Sequence, residues 1–291
     1  MDFYTSAIIQ SFAFAGMCLG IFLTLKIFNI PDITTDGSFT LGGAVTAVML
    51  INNYNPLITL LVVLLAGAFA GIITGIIHAK LKVNALLAGI LTMTALYSVN
   101  LMIMGRSNIP LVDAQNIFSF FSADSNSQTE GMVLMFFVLF LLLLMGWLLH
   151  TDFGIAMRTT GNNEMMARAV GINTSAMKVY GLALANALTA LSGYMMVQYQ
   201  GFVDINMGIG IVISGLGSVM IGEALLKILR KDNLWLQIIF VVIGAIAFRL
   251  VLAYALSAGL SPNYLKLVTA SIVLFIVSVS WFLKRRSDDR N

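Results

Sequence analysis

Nine stretches of the chain are dominated by apolar residues, near positions 6–28, 38–52, 56–79, 84–104, 131–149, 177–199, 206–226, 235–257 and 264–283. Several exceed the ~18 residues with few charges that make a transmembrane helix candidate. The pattern predicts an all-α polytopic membrane protein with about nine hydrophobic segments, formed as one transmembrane domain over residues 1–291. Two stretches depart from it. Residues 38–52, SFTLGGAVTAVMLIN, are short for a span that needs ~20 residues, and they follow a polar lead-in, PDITTDG. Residues 207–222, MGIGIVISGLGSVMIG, carry five glycines. Short or glycine-broken segments at corresponding places in two halves point to inverted repeats with a pathway between them. The plainer alternative is two tightly packed helices, and no clear internal identity decides between the two. The third segment carries Gly67, Gly71 and Gly75, whose spacing lets another helix approach closely. Such a face more often serves internal packing than dimerisation.

Composition sharpens this picture. Hydrophobic residues make up 59% of the 291 positions and charged residues only 10%, against about 25% charged in soluble domains. Basic residues set the orientation. If the polar stretch GNNEMMARAVGIN (161–173) lies in the cytoplasm and the segments alternate, then Lys26, Lys80, Lys82, Arg158, Arg168, Lys178, Lys227, Arg230, Lys231, Lys284, Arg285, Arg286 and Arg290 all face inward. Arg106 and Lys266 then face outward, and Arg249 falls within a span. The N-terminus is expected outside and the C-terminus inside. No basic n-region precedes the first segment, so no cleaved signal peptide is expected. The net charge of +3 gives no reason to expect nucleic acid as a partner.

The polar stretch reads as a short amphipathic helix over about 163–170, inside a cytoplasmic loop spanning 151–176. Asn162 or Asn163 can cap its start, and Gly171 can end it in the left-handed conformation. Met165, Met166, Ala169 and Val170 share one face. Glu164 and Arg168 lie on the other, in the favourable i,i+4 order. Flexible methionines suit an adaptable docking surface; lying on the membrane interface is the alternative.

Within the spans, uncharged polar groups are plentiful. Ser38, Thr40, Thr94, Tyr97, Asn100, Asn186, Ser214 and Ser218 are candidates for lining a translocation path, with helix–helix bonding as the competing role. Charges at membrane depth are few. Arg249 is a gating candidate or one half of a buried pair, with Glu223 as the candidate partner. Asp36, with Asp32, sits near the inner end of the second segment, either capping that helix or standing on an inner gate.

Several chemistries lack their residues. The chain has no G-x-x-x-x-G-K-[ST] phosphate loop, no G-x-S-x-G elbow and no HExxH. His78 and His150 have no evident serine partner, which leaves an intramembrane enzyme unsupported. A stand-alone secondary transporter would need an ion site, for which Arg249, Glu223 and Asp36 are the only candidates. The weakly charged spans instead call for a separate source of energy and selectivity.

The segment FGIAMRTTGNNEMMARAVGINTSAMKVYGLALANALTALSGYMM resembles the signature region of permease subunits of bacterial ABC importers for branched-chain amino acids, ribose and related solutes. Gly154, Ala156, Arg158, Gly161, Asn162, Ala167, Gly171, Ile172, Asn173, Ala190, Ser192 and Gly193 carry the resemblance, and Thr159–Thr160 depart from it. IPDITTDGSFTLGGAVTAVML and NYLKLVTA resemble the tryptophan/tyrosine-type subgroup, although Tyr264 stands where an acidic residue is usual. The resemblance covers nearly the whole chain. It implies a coupling helix, formed by Asn163, Glu164, Met165, Met166, Arg168, Ala169, Val170 and Gly171, that docks on a separate ABC ATPase. ATP and Mg would bind that subunit, and this chain would hold no cofactor or metal. It further implies a second permease copy, an extracytoplasmic solute-binding lipoprotein and residence in the bacterial cytoplasmic membrane. The cargo would be a small solute, with amino acids, aromatic ones included, as the first candidates.

Overall fold

The structure, a computed structural model, describes residues 3–112, 115–120, 127–229, 233–261 and 264–288. Arg230, Lys231 and Arg290, three of the basic residues used for orientation, lie outside these. Eleven helices form among the described residues: α1 (Phe3–Ile21), α2 (Thr34–Ile51), α3 (Pro56–Ala79), α4 (Ala85–Met104), α5 (Ser127–His150), α6 (Asp152–Asn162), α7 (Glu164–Ala169), α8 (Thr174–Gln200), α9 (Ile211–Ile228), α10 (Leu234–Ser257) and α11 (Leu265–Asp288). A two-stranded antiparallel ribbon joins β1 (Asn108–Pro110) to β2 (Phe202–Asp204).

Asparagines define many of the starts. Asn55, Asn84, Asn163, Asn173 and Asn233 each accept a backbone N–H of the first turn of α3, α4, α7, α8 and α10. These caps satisfy donors that have no partner inside the helix. Gly105 and Gly201 close α4 and α8 in the left-handed conformation.

Seven helices are long and apolar enough to cross a membrane: α1 with its extension to Ile27, α3, α4, α5 from Thr129, α8, α9 and α10. Leu265–Ser278 of α11 is a shorter apolar helix. The second hydrophobic segment is not the 15-residue piece expected from its apolar run. It is an 18-residue helix that begins inside the polar lead-in, and it is not among the seven. All residues from Thr34 to Ala47 are buried, so protein rather than lipid surrounds α2.

The core is built around α8, which packs against α1, α2 and α3. Gly67, Gly71 and Gly75 of α3 form the contact surface. A methyl group at Gly67 would come within 2.6 Å of Ala190 Cβ, and one at Gly75 within 2.7 Å of Val179 Cα. The glycine stripe serves internal packing. On the opposite side, Leu57, Leu61, Leu65 and Phe69 of α3 are exposed at i,i+4 spacing, an apolar face suited to lipid.

α1 does not end as an α-helix. It widens into a π-helical stretch, Phe22–Ile27, whose exit is marked by the left-handed Asn29 (φ 54°). Asparagine is among the few non-glycine residues that adopt this conformation readily. The chain then turns back into the bundle and starts α2 in its interior.

Candidate functional site

Burying the start of a helix leaves its first N–H groups in need of acceptors. Asp32 meets this need at α2: its Oδ1 accepts the Thr34 N–H at 2.8 Å. Its Oδ2 accepts Asn186 Nδ2 of α8 at 2.8 Å. Asn186 Oδ1 in turn accepts the Ser38 hydroxyl at 2.7 Å. Ser38 and Asn186, both expected as path residues, therefore join α2 to α8 with no exposed surface. Thr34 extends the network to Thr74 of α3, with 2.8 Å between their hydroxyls.

Asp36 acts elsewhere than on its own helix. Its Oδ2 accepts the Gly210 N–H at 2.8 Å and its Oδ1 the Val212 N–H at 2.9 Å. The expected cap on α2 is thus supplied by Asp32, and Asp36 caps α9. Two helix starts, distant in sequence, meet inside the bundle with one carboxylate between them. Such a carboxylate also complements the partial positive charge at the start of α9.

Beside this joint lies a cavity of about 540 Å³. The N-terminal half of α1, residues 207–211, the start of α9, the end of α10 and the start of α11 enclose it. Ser214 and Arg249 line it, together with Phe14, Gln10, Lys266 and Thr269. The Arg249 guanidinium carbon stands 3.7 Å from the centre of the Phe14 ring. Phe14 stacks on Phe39 of α2 at 5.5 Å between ring centres. The suggested Arg249–Glu223 pair is absent, because Glu223 pairs with Lys26 at the end of the π-helical stretch.

The other candidates fall in different places. Thr40 donates to the Asp36 carbonyl at 3.2 Å within α2, and Ser218 to the Ser214 carbonyl at 2.8 Å within α9. Asn100 donates to the Gly37 carbonyl at 3.1 Å, while its own buried Oδ1 has no hydrogen-bond partner. Thr94 and Tyr97 do not face inward as expected. Both are exposed on the outer side of α4 beside Ser98, and the Thr94 hydroxyl bonds the Ile90 carbonyl of its own helix. The sequence reading missed Phe14, Gln10 and Lys266. Only the polar character of Gln10 within an apolar run signalled its place.

A second site forms on the segment between α5 and α8. Asn163 Oδ1 accepts the Met166 N–H at 3.0 Å and starts α7, and Gly171 leaves it at φ 86°. Glu164 accepts Arg168 at 2.6 Å, Lys178 at 2.7 Å and Thr174 at 3.2 Å. The Lys178 bond above all, with help from Arg168 and Thr174, holds the Glu164 carboxyl at about 2 against its ordinary 4.5. Arg168 also donates through Nε to Thr174 at 2.9 Å. The charged face of α7 is thus fastened to α8, and Ala167 is buried beneath it. Met165, Met166, Ala169 and Val170 point away and are exposed, Met165 to 82%. α7 follows directly on α6, whose Gly161 carbonyl accepts Asn29 Nδ2 at 3.2 Å. The exit of the π-helical stretch is therefore tied to the segment that carries α7.

The chain as a whole is similar to several known proteins. The model of a family described as branched-chain amino acid transport system / permease component matches residues 3–278. A tyrosine transport system permease protein of Clostridioides difficile (strain R20291) is 37% identical over 270 residues, 92% of this chain and 88% of its own. An uncharacterised protein of Rickettsia prowazekii (strain Madrid E) is 32% identical across 95% of this chain and 96% of its own. A ribose import permease protein of Escherichia coli (strain K12) is 25% identical across 91% and 81% respectively. No solved structure matches.

Proposed function

Because this chain belongs to the family of permease components of branched-chain amino acid transport systems, we propose that it forms the translocation path of an importer driven by a separate ABC ATPase. It is a multi-pass protein of the bacterial cytoplasmic membrane. The cargo is an amino acid, with an aromatic one favoured by the relative named for tyrosine transport. An extracytoplasmic binding protein delivers it, and two permease copies surround the path.

The observation that carries this reading is α7. A six-residue helix is not stable alone in water. This one is held in place by three side-chain bonds to Glu164, and it spends its apolar face on solvent. An exposed methionine patch on a braced helix is a docking surface. The missing phosphate loop makes an ATP-binding partner the matching occupant. Movement of α7 passes to α6, to Asn29 at the exit of the π-helical stretch, and on to the buried start of α2. ATP-driven closure of the partner supplies the difference in contact energy between two states. The exposed Thr94, Tyr97 and Ser98 stripe on α4 gives the second copy a polar face to share.

The test is uptake of radiolabelled L-tyrosine by vesicles holding the permease with its partner ABC ATPase and binding protein. Met165→Asp places a charge in the docking patch and removes none of the bonds to Glu164. Uptake and permease-stimulated ATP hydrolysis should fall at least about tenfold, a loss of ~1.4 kcal/mol or more, while the permease still inserts. Normal uptake and normal stimulation would overturn the docking role.

A further inference from the structure

The cavity beside the α2–α9 joint holds an arginine with no ion-pair partner among the described residues. Arg249 lines it from α10, and Lys266 lines it from α11. Among the described residues no carboxylate lies within ion-pair distance of Arg249. Two acidic residues of the neighbouring helices are engaged elsewhere, Asp36 by the start of α9 and Glu223 by Lys26. The Arg249 guanidinium lies on the face of Phe14 and within electrostatic reach of the buried Cys18 thiol. An arginine keeps its charge in a protein, and within a membrane it requires a partner or water. The cavity, about 540 Å³, falls within the ~300–1,000 Å³ typical of small-molecule sites. Its wall is apolar apart from a few placed polar groups, which is how such sites fix a ligand's orientation.

We infer that this cavity binds the carboxylate of a small solute on Arg249, once in each chain, with the solute's apolar side chain against the aliphatic wall formed by Ile213, Leu252 and Leu256. The inference rests on the transport reading and names the group by which cargo is recognised. A planar guanidinium takes a carboxylate through two parallel N–H···O bonds. Phe14 holds that plane from below, and Phe39 backs Phe14. The ligand class is therefore a monocarboxylate with an aromatic or branched side chain, such as an amino acid. An amine lacking the carboxylate does not qualify. The site opens between helices of a single chain, so its occupancy does not depend on the second copy.

The experiment measures equilibrium binding of radiolabelled L-tyrosine, L-leucine and tyramine to the purified permease in phosphatidylcholine nanodiscs. At millimolar concentrations a carboxylate-bearing probe should bind saturably, one equivalent per chain, and tyramine should not. Arg249→Gln should weaken that binding roughly 30-fold or more, the usual consequence of removing one side of a buried charge pair. Arg249→Lys keeps the charge but loses the fork, and should sit between the two. Melting curves on both variants establish that they are folded. If only L-leucine binds and depends on Arg249, the carboxylate site stands and the aromatic cargo falls. If tyrosine uptake proceeds with wild-type affinity in Arg249→Gln, the site falls and the permease reading stands. Equal binding of tyramine, or no saturable binding of either amino acid, overturns the inference. So does loss of amino acid binding to phosphatidylglycerol in mixed nanodiscs, which would make the cavity a lipid headgroup site.

Discussion

Asp36→Asn isolates the joint between α2 and α9 with almost no change in volume. The carboxylate accepts two backbone N–H groups, Gly210 at 2.8 Å and Val212 at 2.9 Å. An asparagine can accept only one of them, because its second terminal atom is itself a donor. The substitution therefore removes one charge-assisted bond, weakens the other, and leaves a partly buried N–H facing an NH2 group. Bonds to charged groups contribute about 1.5–3 kcal/mol, and an unsatisfied buried group costs about 1–3 kcal/mol. Lost complementarity to the helix dipole adds up to about 2 kcal/mol. Allowing for overlap between these effects, the joint should loosen by about 2–4 kcal/mol, which is roughly 30- to 1,000-fold in its opening equilibrium. The assay is the labelling rate of Val212→Cys by a membrane-permeant maleimide, in a background where Cys18, the chain's single cysteine, is replaced by alanine. Asp36→Asn should raise that rate by at least about tenfold under conditions where opening limits access, and should lower the melting temperature of the purified permease. An unchanged rate and an unchanged melting temperature would show that the α9 start is held by its surroundings and that Asp36 is dispensable.

Two further outcomes follow from other parts of the structure. Glu164 titrates at about 2 rather than its ordinary 4.5, so the bracing of α7 is fully present above about pH 4.5 and is lost as pH falls toward about 2. Hydrogen exchange of the α7 amides, corrected for intrinsic rates, should show protection falling across that window in wild type and already low, without that pH dependence, in Glu164→Gln. Gly71→Leu should separate α3 from α8, because even a methyl group there would come within 2.7 Å of Ala183 Cα. Such overpacking costs typically 1–3 kcal/mol or more, so a wild-type melting temperature would refute the described α3–α8 contact.

How much of this was legible in one dimension depends on range. The hydropathy pattern located the membrane-crossing helices because it is local: each apolar run it marked overlaps a helix, although the run at 206–226 begins in the turn before α9. The start and end of α7 were legible for the same reason, since Asn163 and Gly171 act within a turn of their own positions. The spacing of Gly67, Gly71 and Gly75 told of close packing but not against which helix. What failed were pairings that depend on depth and rotation. The Asp36 bond to Gly210 joins residues 174 apart, and nothing in the hydropathy of α2 reports what lies beside it. Glu223 and Arg249 seemed natural partners by charge alone, yet they project from different helices, and Lys26 reaches Glu223 instead. Thr94 and Tyr97 were expected to line a path, but periodicity does not say whether a helix face looks into the bundle or out of it. The polar lead-in PDITTDG was the one visible cue that α2 begins inside protein, since Asp32 and Asp36 would be costly against lipid.

The buried start of α2 also sets an order of events during synthesis. Asp32 and Asp36 have no place in hydrocarbon, and the groups that tie them to other helices, Asn186, Gly210 and Val212, belong to the second half of the chain. At roughly 5–20 residues per second, the interval between completing Ile51 and reaching Ile211 is on the order of 8 to 30 seconds. During that time α2 must be sheltered at the translocation machinery or held at the membrane surface. It can take its central position only after α8 and α9 arrive. The helix at the middle of the finished bundle is thus among the last to settle, and a chain truncated before α8 should leave α2 open to proteases.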